Sequence, residues 1–383
     1  VSSWRIPLSD LDYGASEEDA VLRVLRGKWL SMGAETEAFE SEFAASVGSK
    51  HAIAVANGTA ALHLAFMALR LRAGDEVIQP AINFVAAANM TITTGATPVF
   101  ADIEALNEPT ISPAEISRCI TSHTKAVVVM HYGGYLACMS SISEICRNHG
   151  IPLIEDACHA VGAEYVDPEL KFPHGRTAGN LGDIGCFSFF SNKNMAVGEG
   201  GMITTNDDSM AQRIRLLRSH GMTTLTWDRH RGHADTYDVC LNGFNYRIDE
   251  IHAALGRVQL RKLQNNNKQR NRLVQEYKRQ LNGLDGWDFP FADHREGSSY
   301  HLAAFVAPDP DHRSRVVEAL KKSRIQTSLH YPFIPGFKAF EVNQADGLGC
   351  SREYVRRAFT LPLFPTMTIS QVEEICSIIR GNI

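Results

Sequence analysis

Short apolar runs alternate with helical patterns through most of the first 220 residues. Runs rich in β-branched and apolar residues fall at 52–55, 76–78, 98–101, 126–130, 152–155, 185–189 and 202–204, and each reads as a strand. Between or beside them, 36–47, 60–71, 86–93, 140–148 and 209–218 carry apolar residues at helical spacing, while Gly74-Asp75, Gly95-Ala96 and Gly150 mark turns. Strand and helix in alternation predict βαβ units on a mostly parallel sheet, an α/β fold.

The pattern changes after Ile248. Ile251, Ala254, Leu255, Val258 and Leu263 form one apolar stripe, with Arg257, Arg261, Lys262 and Gln264 on the opposite face, and this predicts a long helix linking two lobes. Beyond it, a strand near 302–307 and helices near 313–322 and 370–379 predict a smaller α+β domain. The expected division is a large α/β domain over 1–250 and the linking helix with a small domain over 251–383.

Composition adds limits. The 383 residues are 44% hydrophobic and 21% charged with a formal net charge of −5, the profile of a soluble globular protein with no basic surface for nucleic acid. No apolar run approaches the roughly 18 residues of a membrane span. The eight cysteines show no Cys-x-x-Cys spacing, and with no signal-like leader visible the expected location is a reducing cytoplasm.

Ligands of an open parallel sheet gather beyond the C-terminal strand ends, so the loops there carry the chemistry. After the first strand, Asn57-Gly58-Thr59-Ala60-Ala61-Leu62 opens a helix whose free N–H groups and Thr59 hydroxyl suit a phosphate dianion; a plain helix cap is the simpler alternative. After the second, Phe84 reads either as core or as a lid on a flat aromatic ring. Asp156-Ala157-Cys158-His159 puts a carboxylate and an imidazole at another strand end, for a ring N–H⁺ or as a buried pair. Lys193 follows the aromatic run Phe187-Ser188-Phe189-Phe190 and precedes Gly198-Glu199-Gly200-Gly201; a lysine desolvated there becomes an amine nucleophile for a carbonyl. A phosphate cradle, a stacking aromatic, an acid for a ring nitrogen and a lysine for an aldehyde together specify pyridoxal 5′-phosphate (PLP).

These segments, with Gly27-Lys28-Trp29-Leu30-Ser31-Met32-Gly33, Ala96-Thr97-Pro98-Val99-Phe100-Ala101-Asp102 and Asn245-Tyr246-Arg247, occur in an order that resembles the DegT/StrS family of sugar aminotransferases, PLP enzymes of fold type I. The resemblance implies that Lys193 forms the Schiff base and that Asp156 keeps the pyridine nitrogen protonated. It places Phe84 and His159 on or beside the ring, and Thr59, Ala60 and Ser188 at the phosphate. It brings Asn245 and Arg247 to the phosphate of the neighbouring subunit, which implies a homodimer with shared sites. It also sets Trp29, His330 and Tyr331 on the substrate side, while a buried histidine of the C-terminal domain is an equally fair reading of His330. The implied reaction moves an amino group from L-glutamate to a keto group of a nucleotide-linked deoxysugar, in amino-sugar biosynthesis.

Two departures are visible. Leu136-Ala137-Cys138 stands where many relatives have Pro and Asp. Histidines at 230 and 233 form a His-x-x-His pair, weak evidence for a metal in a region the family uses as an active-site loop, so no metal is expected. A sugar dehydratase of the same family resembles this pattern with histidine in place of Lys193, which counts against that alternative. A non-catalytic scaffold of the same fold is the other alternative.

Overall fold

The structure, a computed structural model, describes residues 4–166, 175–224, 227, 232, 236–292, 294, 296–340 and 347–383. His230 and His233 lie outside them. Its centre is a seven-stranded sheet of β1 (His51–Val55), β2 (Glu76–Pro80), β3 (Thr97–Ala101), β6 (Thr124–Met130), β7 (Leu153–Asp156), β8 (Ile184–Ser188) and β9 (Gly201–Thr205), with β4 (Ile103–Ala105) and β5 (Glu108–Ile111) forming a separate hairpin. The order across the sheet is β1-β9-β8-β7-β6-β2-β3, and β9 alone runs antiparallel to its neighbours. All seven strands predicted in the first 220 residues are present.

Strands β7, β8 and β9 are buried along their whole length, as expected of central strands covered on both faces. One apolar core holds Phe39, Phe43, Val127, Phe187 and Phe189; the other holds Leu62, Leu64, Phe66, Val128 and Ile203. Alternation along β6 explains the split, since Val127 and Val129 face one core and Ala126 and Val128 the other. Helix α1 (Ala15–Gly27) and the short helix Pro113–Cys119 were not read from the sequence.

The predicted linking helix spans Glu250–Leu281, and the Asp249 side chain caps its start by accepting the His252 N–H at 2.9 Å. Its first half contributes Ala253, Leu255 and Leu263 to a sheet core, and its second half contributes Leu273, Val274, Tyr277 and Leu281 to a third core. That third core surrounds the antiparallel pair β10 (Ala303–Val306) and β11 (Ala358–Leu361) with helices Pro310–Lys322 and Ile369–Arg380. Ile6 also packs there, bridging to Ile325.

The topology fixes where a site can form. Strands β1, β2, β6, β7 and β8 run parallel, so the loops after Val55, Pro80, Met130, Asp156 and Ser188 emerge at one edge. Antiparallel β9 starts at that same edge, with Gly201 opposite both Val55 and Ser188. The loop between β8 and β9, which carries Lys193, therefore lies over the C-terminal strand ends.

Candidate active site

A cavity of about 620 Å³ opens at this edge and is lined by Thr59, Phe84, Asp156, His159, Ser188 and Lys193, six of the residues singled out from the sequence. His330 and Tyr331 reach it from the C-terminal half. The sheet supplies one wall and the segment around 328–332 the other.

The phosphate end is built by a helix start. Helix α3 (Gly58–Ala68) follows β1 directly, and its N-cap Asn57 accepts the Ala60 N–H at 2.8 Å. An α-helix leaves its first N–H groups without intrahelical partners. With Ala60 taken by Asn57, the amides of Gly58 and Thr59 remain, beside the Thr59 hydroxyl. Gly58 is needed for close approach: a Cβ there would stand 2.8 Å from Ser188 Cβ and 3.3 Å from Cys158 Sγ. Ser188 ends β8, and its Oγ accepts the Phe190 N–H at 3.3 Å, leaving its own proton to donate.

Lys193 faces the acid side of the cavity. Burial lowers its pKa, and the nearby Cys158 and Asp156 oppose that shift without cancelling it. The amine is therefore neutral at a lower pH than a surface lysine, as a nucleophile requires. Asp156, at the end of β7, is buried and accepts the Asn83 Nδ2–H at 3.1 Å and the Cys158 N–H at 3.3 Å. Burial also pushes the Cys158 thiol well up, so it stands beside the lysine as a neutral group.

His159 is fixed as one tautomer. Its Nδ1 accepts the Gly133 N–H at 3.3 Å, so Nε2 carries the proton and donates to Tyr331 Oη at 2.7 Å. Burial, then Lys193 and His330, hold its pKa well below the usual range, so the ring is neutral. Tyr331 stacks near it with centroids 5.5 Å apart, and Phe84 lies 6.0 Å from Tyr331. Phe84 is 55% exposed, which rules out the core reading for this side chain. His330 bonds Thr360 Oγ1 through Nδ1 at 2.9 Å, and burial lowers its pKa to about 4.

Four predicted residues are not on the cavity lining. Ala60 is buried with its amide already capped. Trp29 packs against Trp227 with centroids 4.9 Å apart. Asn245 is exposed and bridges to Ser219. Arg247 is half-buried beside Arg218, and its Nη1 has no hydrogen-bond partner among the described residues. Reading the sequence gave no role to Asn83 or Cys158, both of which touch Asp156. Their signal was position, in loops following β2 and β7.

The donor set fits PLP: two open helix amides and two hydroxyls for a phosphate, a carboxylate for a ring N–H⁺, and a neutral-leaning amine for an aldehyde. The cavity volume is within the range of small-molecule sites. Known proteins agree. The DegT/DnrJ/EryC1/StrS aminotransferase family matches residues 12–380. The spore coat polysaccharide biosynthesis protein SpsC of Bacillus subtilis (strain 168) is 37% identical over 378 residues, covering 96% of this chain and 94% of SpsC. The crystal structure of DesV from S. venezuelae superposes with a TM-score of 0.89 at 30% identity, covering 99% of this chain and 98% of DesV. PseC of Helicobacter pylori, an aminotransferase involved in the biosynthesis of pseudoaminic acid, superposes with a TM-score of 0.89 at 26% identity, covering 99% of this chain and 98% of PseC. The chain belongs to the DegT/DnrJ/EryC1/StrS family of sugar aminotransferases, enzymes of PLP fold type I that use PLP as cofactor.

Proposed function

We propose that this aminotransferase moves the amino group of L-glutamate to a keto group on a nucleotide-linked deoxysugar. The observation that carries the reading is one cavity holding a pKa-lowered Lys193, Asp156 and the open start of α3. The naming of SpsC for spore coat polysaccharide biosynthesis and of PseC for pseudoaminic acid biosynthesis supports a sugar acceptor.

When bound, PLP supplies an aldehyde for amine exchange and a protonated ring that takes up electrons. Lys193, on the cavity lining with its pKa lowered by burial, would hold the cofactor through its Nζ and would be the group that moves a proton at the substrate carbon. Asp156 would accept the ring N–H⁺ and so favour the protonated ring. The Gly58 and Thr59 amides with the Thr59 and Ser188 hydroxyls hold the phosphate. Phe84 and neutral His159, both on the cavity lining, would bound the cofactor and exclude water, and His159 is held in place by Tyr331. Lys193 counts against a dehydratase, which would carry histidine there.

Mixing PLP-loaded protein with glutamate should shift the visible absorbance, and a keto sugar nucleotide should restore it while an amino sugar appears by mass spectrometry. No shift with glutamate, glutamine or any other amino acid would defeat the proposal. The shared-site part has its own test. Arg247 serves the partner's phosphate in this reading, so inactive Lys193→Ala and Arg247→Ala chains refolded together should regain up to about a quarter of wild-type activity, because half the dimers are mixed and each has one good site. Heterodimers without activity would place Arg247 elsewhere.

A further inference from the structure

We propose that Asn83 is a positioning residue: its one side chain fixes both the Asp156 carboxylate and the backbone of Phe84. The inference rests on the reading of Asp156 as the acid that holds the cofactor ring nitrogen. Asn83 is 4% exposed and sits in the loop after β2, at the cavity wall. Its Nδ2–H donates to Asp156 Oδ2 at 3.1 Å, and its Oδ1 accepts the Phe84 N–H at 2.6 Å.

The two ends determine each other. A flipped amide would set its oxygen against the carboxylate and its NH₂ against an N–H, repulsive at both ends, so the orientation is fixed by chemistry. An ionised carboxylate has about four acceptor positions. Asn83 and the Cys158 N–H occupy two of them, which sets the plane of Asp156 and leaves acceptor positions for a ring N–H⁺. The same amide holds the start of the Phe84 segment, so Asp156 and Phe84 are coupled through one group.

Aspartate is the informative replacement because its protonated carboxyl is nearly isosteric with the amide. In Asn83→Asp, the protonated form donates O–H to Asp156, whereas the ionised form removes the donor and brings two carboxylates into contact. The titratable groups facing Asp156 are Cys158, Cys186, Tyr331 and Lys193. Burial pushes both thiols and the phenol up, so they stay neutral, whereas the charge gained by Asn83→Asp raises the Lys193 pKa as Asp156 does, so the visible absorbance of each loaded protein is titrated beside the ratio to separate the two effects.

The experiment compares wild type, Asn83→Ala, Asn83→Asp and Asp156→Asn. Two quantities are followed from pH about 6 to about 9: the affinity of the apoprotein for PLP and the single-turnover rate with glutamate. Asn83→Ala should be slower by about 10- to 100-fold, the range for a hydrogen bond to a charged group. The ratio of Asn83→Asp to wild type should fall with rising pH in both affinity and rate. A space-filling role predicts a flat ratio. The inference is overturned, with the Asp156 reading intact, if Asp156→Asn is slow while Asn83→Ala matches wild type or the Asn83→Asp ratio is flat. If Asn83→Ala does not fold, the Asn83→Asp ratio decides. A wild-type rate in Asp156→Asn would instead remove the Asp156 reading and this inference together.

Discussion

Glu155 and Asp156 are consecutive carboxylates on β7, and they meet opposite fates. Glu155 is 0% exposed and accepts four hydrogen bonds: the N–H groups of Gly179, Leu181 and Gly182 at 2.8, 2.8 and 2.7 Å, and His131 Nε2 at 2.9 Å. Asp156 points to the other side of the sheet, accepts two bonds at 3.1 and 3.3 Å, and lines the cavity. A saturated carboxylate staples loops to the sheet; an unsaturated one is available to a ligand. The difference follows from strand alternation, which sends neighbouring side chains to opposite faces.

The comparison can be broken at either residue. Glu155→Ala leaves three loop amides and His131 without their acceptor, so unfolding free energy should drop by about 3–5 kcal/mol, the cost of removing one partner of a buried pair. Denaturant titration measures it, and a loss under about 1 kcal/mol would deny the staple. Asp156→Asn should leave that titration nearly unchanged while slowing the glutamate half-reaction by roughly 100-fold, about 2.7 kcal/mol of barrier. A normal single-turnover rate would take Asp156 out of the chemistry. Gly58→Ala sharpens the picture at the phosphate end, because its Cβ would press on Ser188 and displace the helix start. PLP affinity should weaken by about tenfold, or 1.4 kcal/mol, and unaltered affinity would show that the open amides are not the phosphate site.

The fold was legible where pattern and period coincide. Each strand of the sheet is a short apolar run bounded by turn residues, and the observed limits differ from the predicted ones by a residue or two. Helix α1 escaped because Gly14 caps it without a side chain and its outer face exposes Leu22 and Leu25, which blurs the apolar stripe. Strand β11 escaped because it follows helix Gly349–Arg357 without a turn.

In the cavity, Thr59, Asp156, Ser188 and Lys193 were readable because each lies at or just beyond a strand end, and parallel strands bring those ends together. Asn83 was not, since its contact with Asp156 spans 73 residues of sequence. Only the order β7-β6-β2, which sets their loops two strands apart, brings the pair within a side chain's reach. The bond between His159 and Tyr331 spans 172 residues and depends on how the C-terminal half folds over the sheet edge.

Borohydride reduction of the PLP-loaded enzyme, followed by peptide mass mapping, tests the central claim that Lys193 is the amine of this site. The account predicts a single pyridoxyl label on the peptide carrying Lys193, and an unlabelled, inactive Lys193→Ala chain that still binds PLP noncovalently. A label on another lysine, or a Lys193→Ala chain that is both labelled and active, would contradict it.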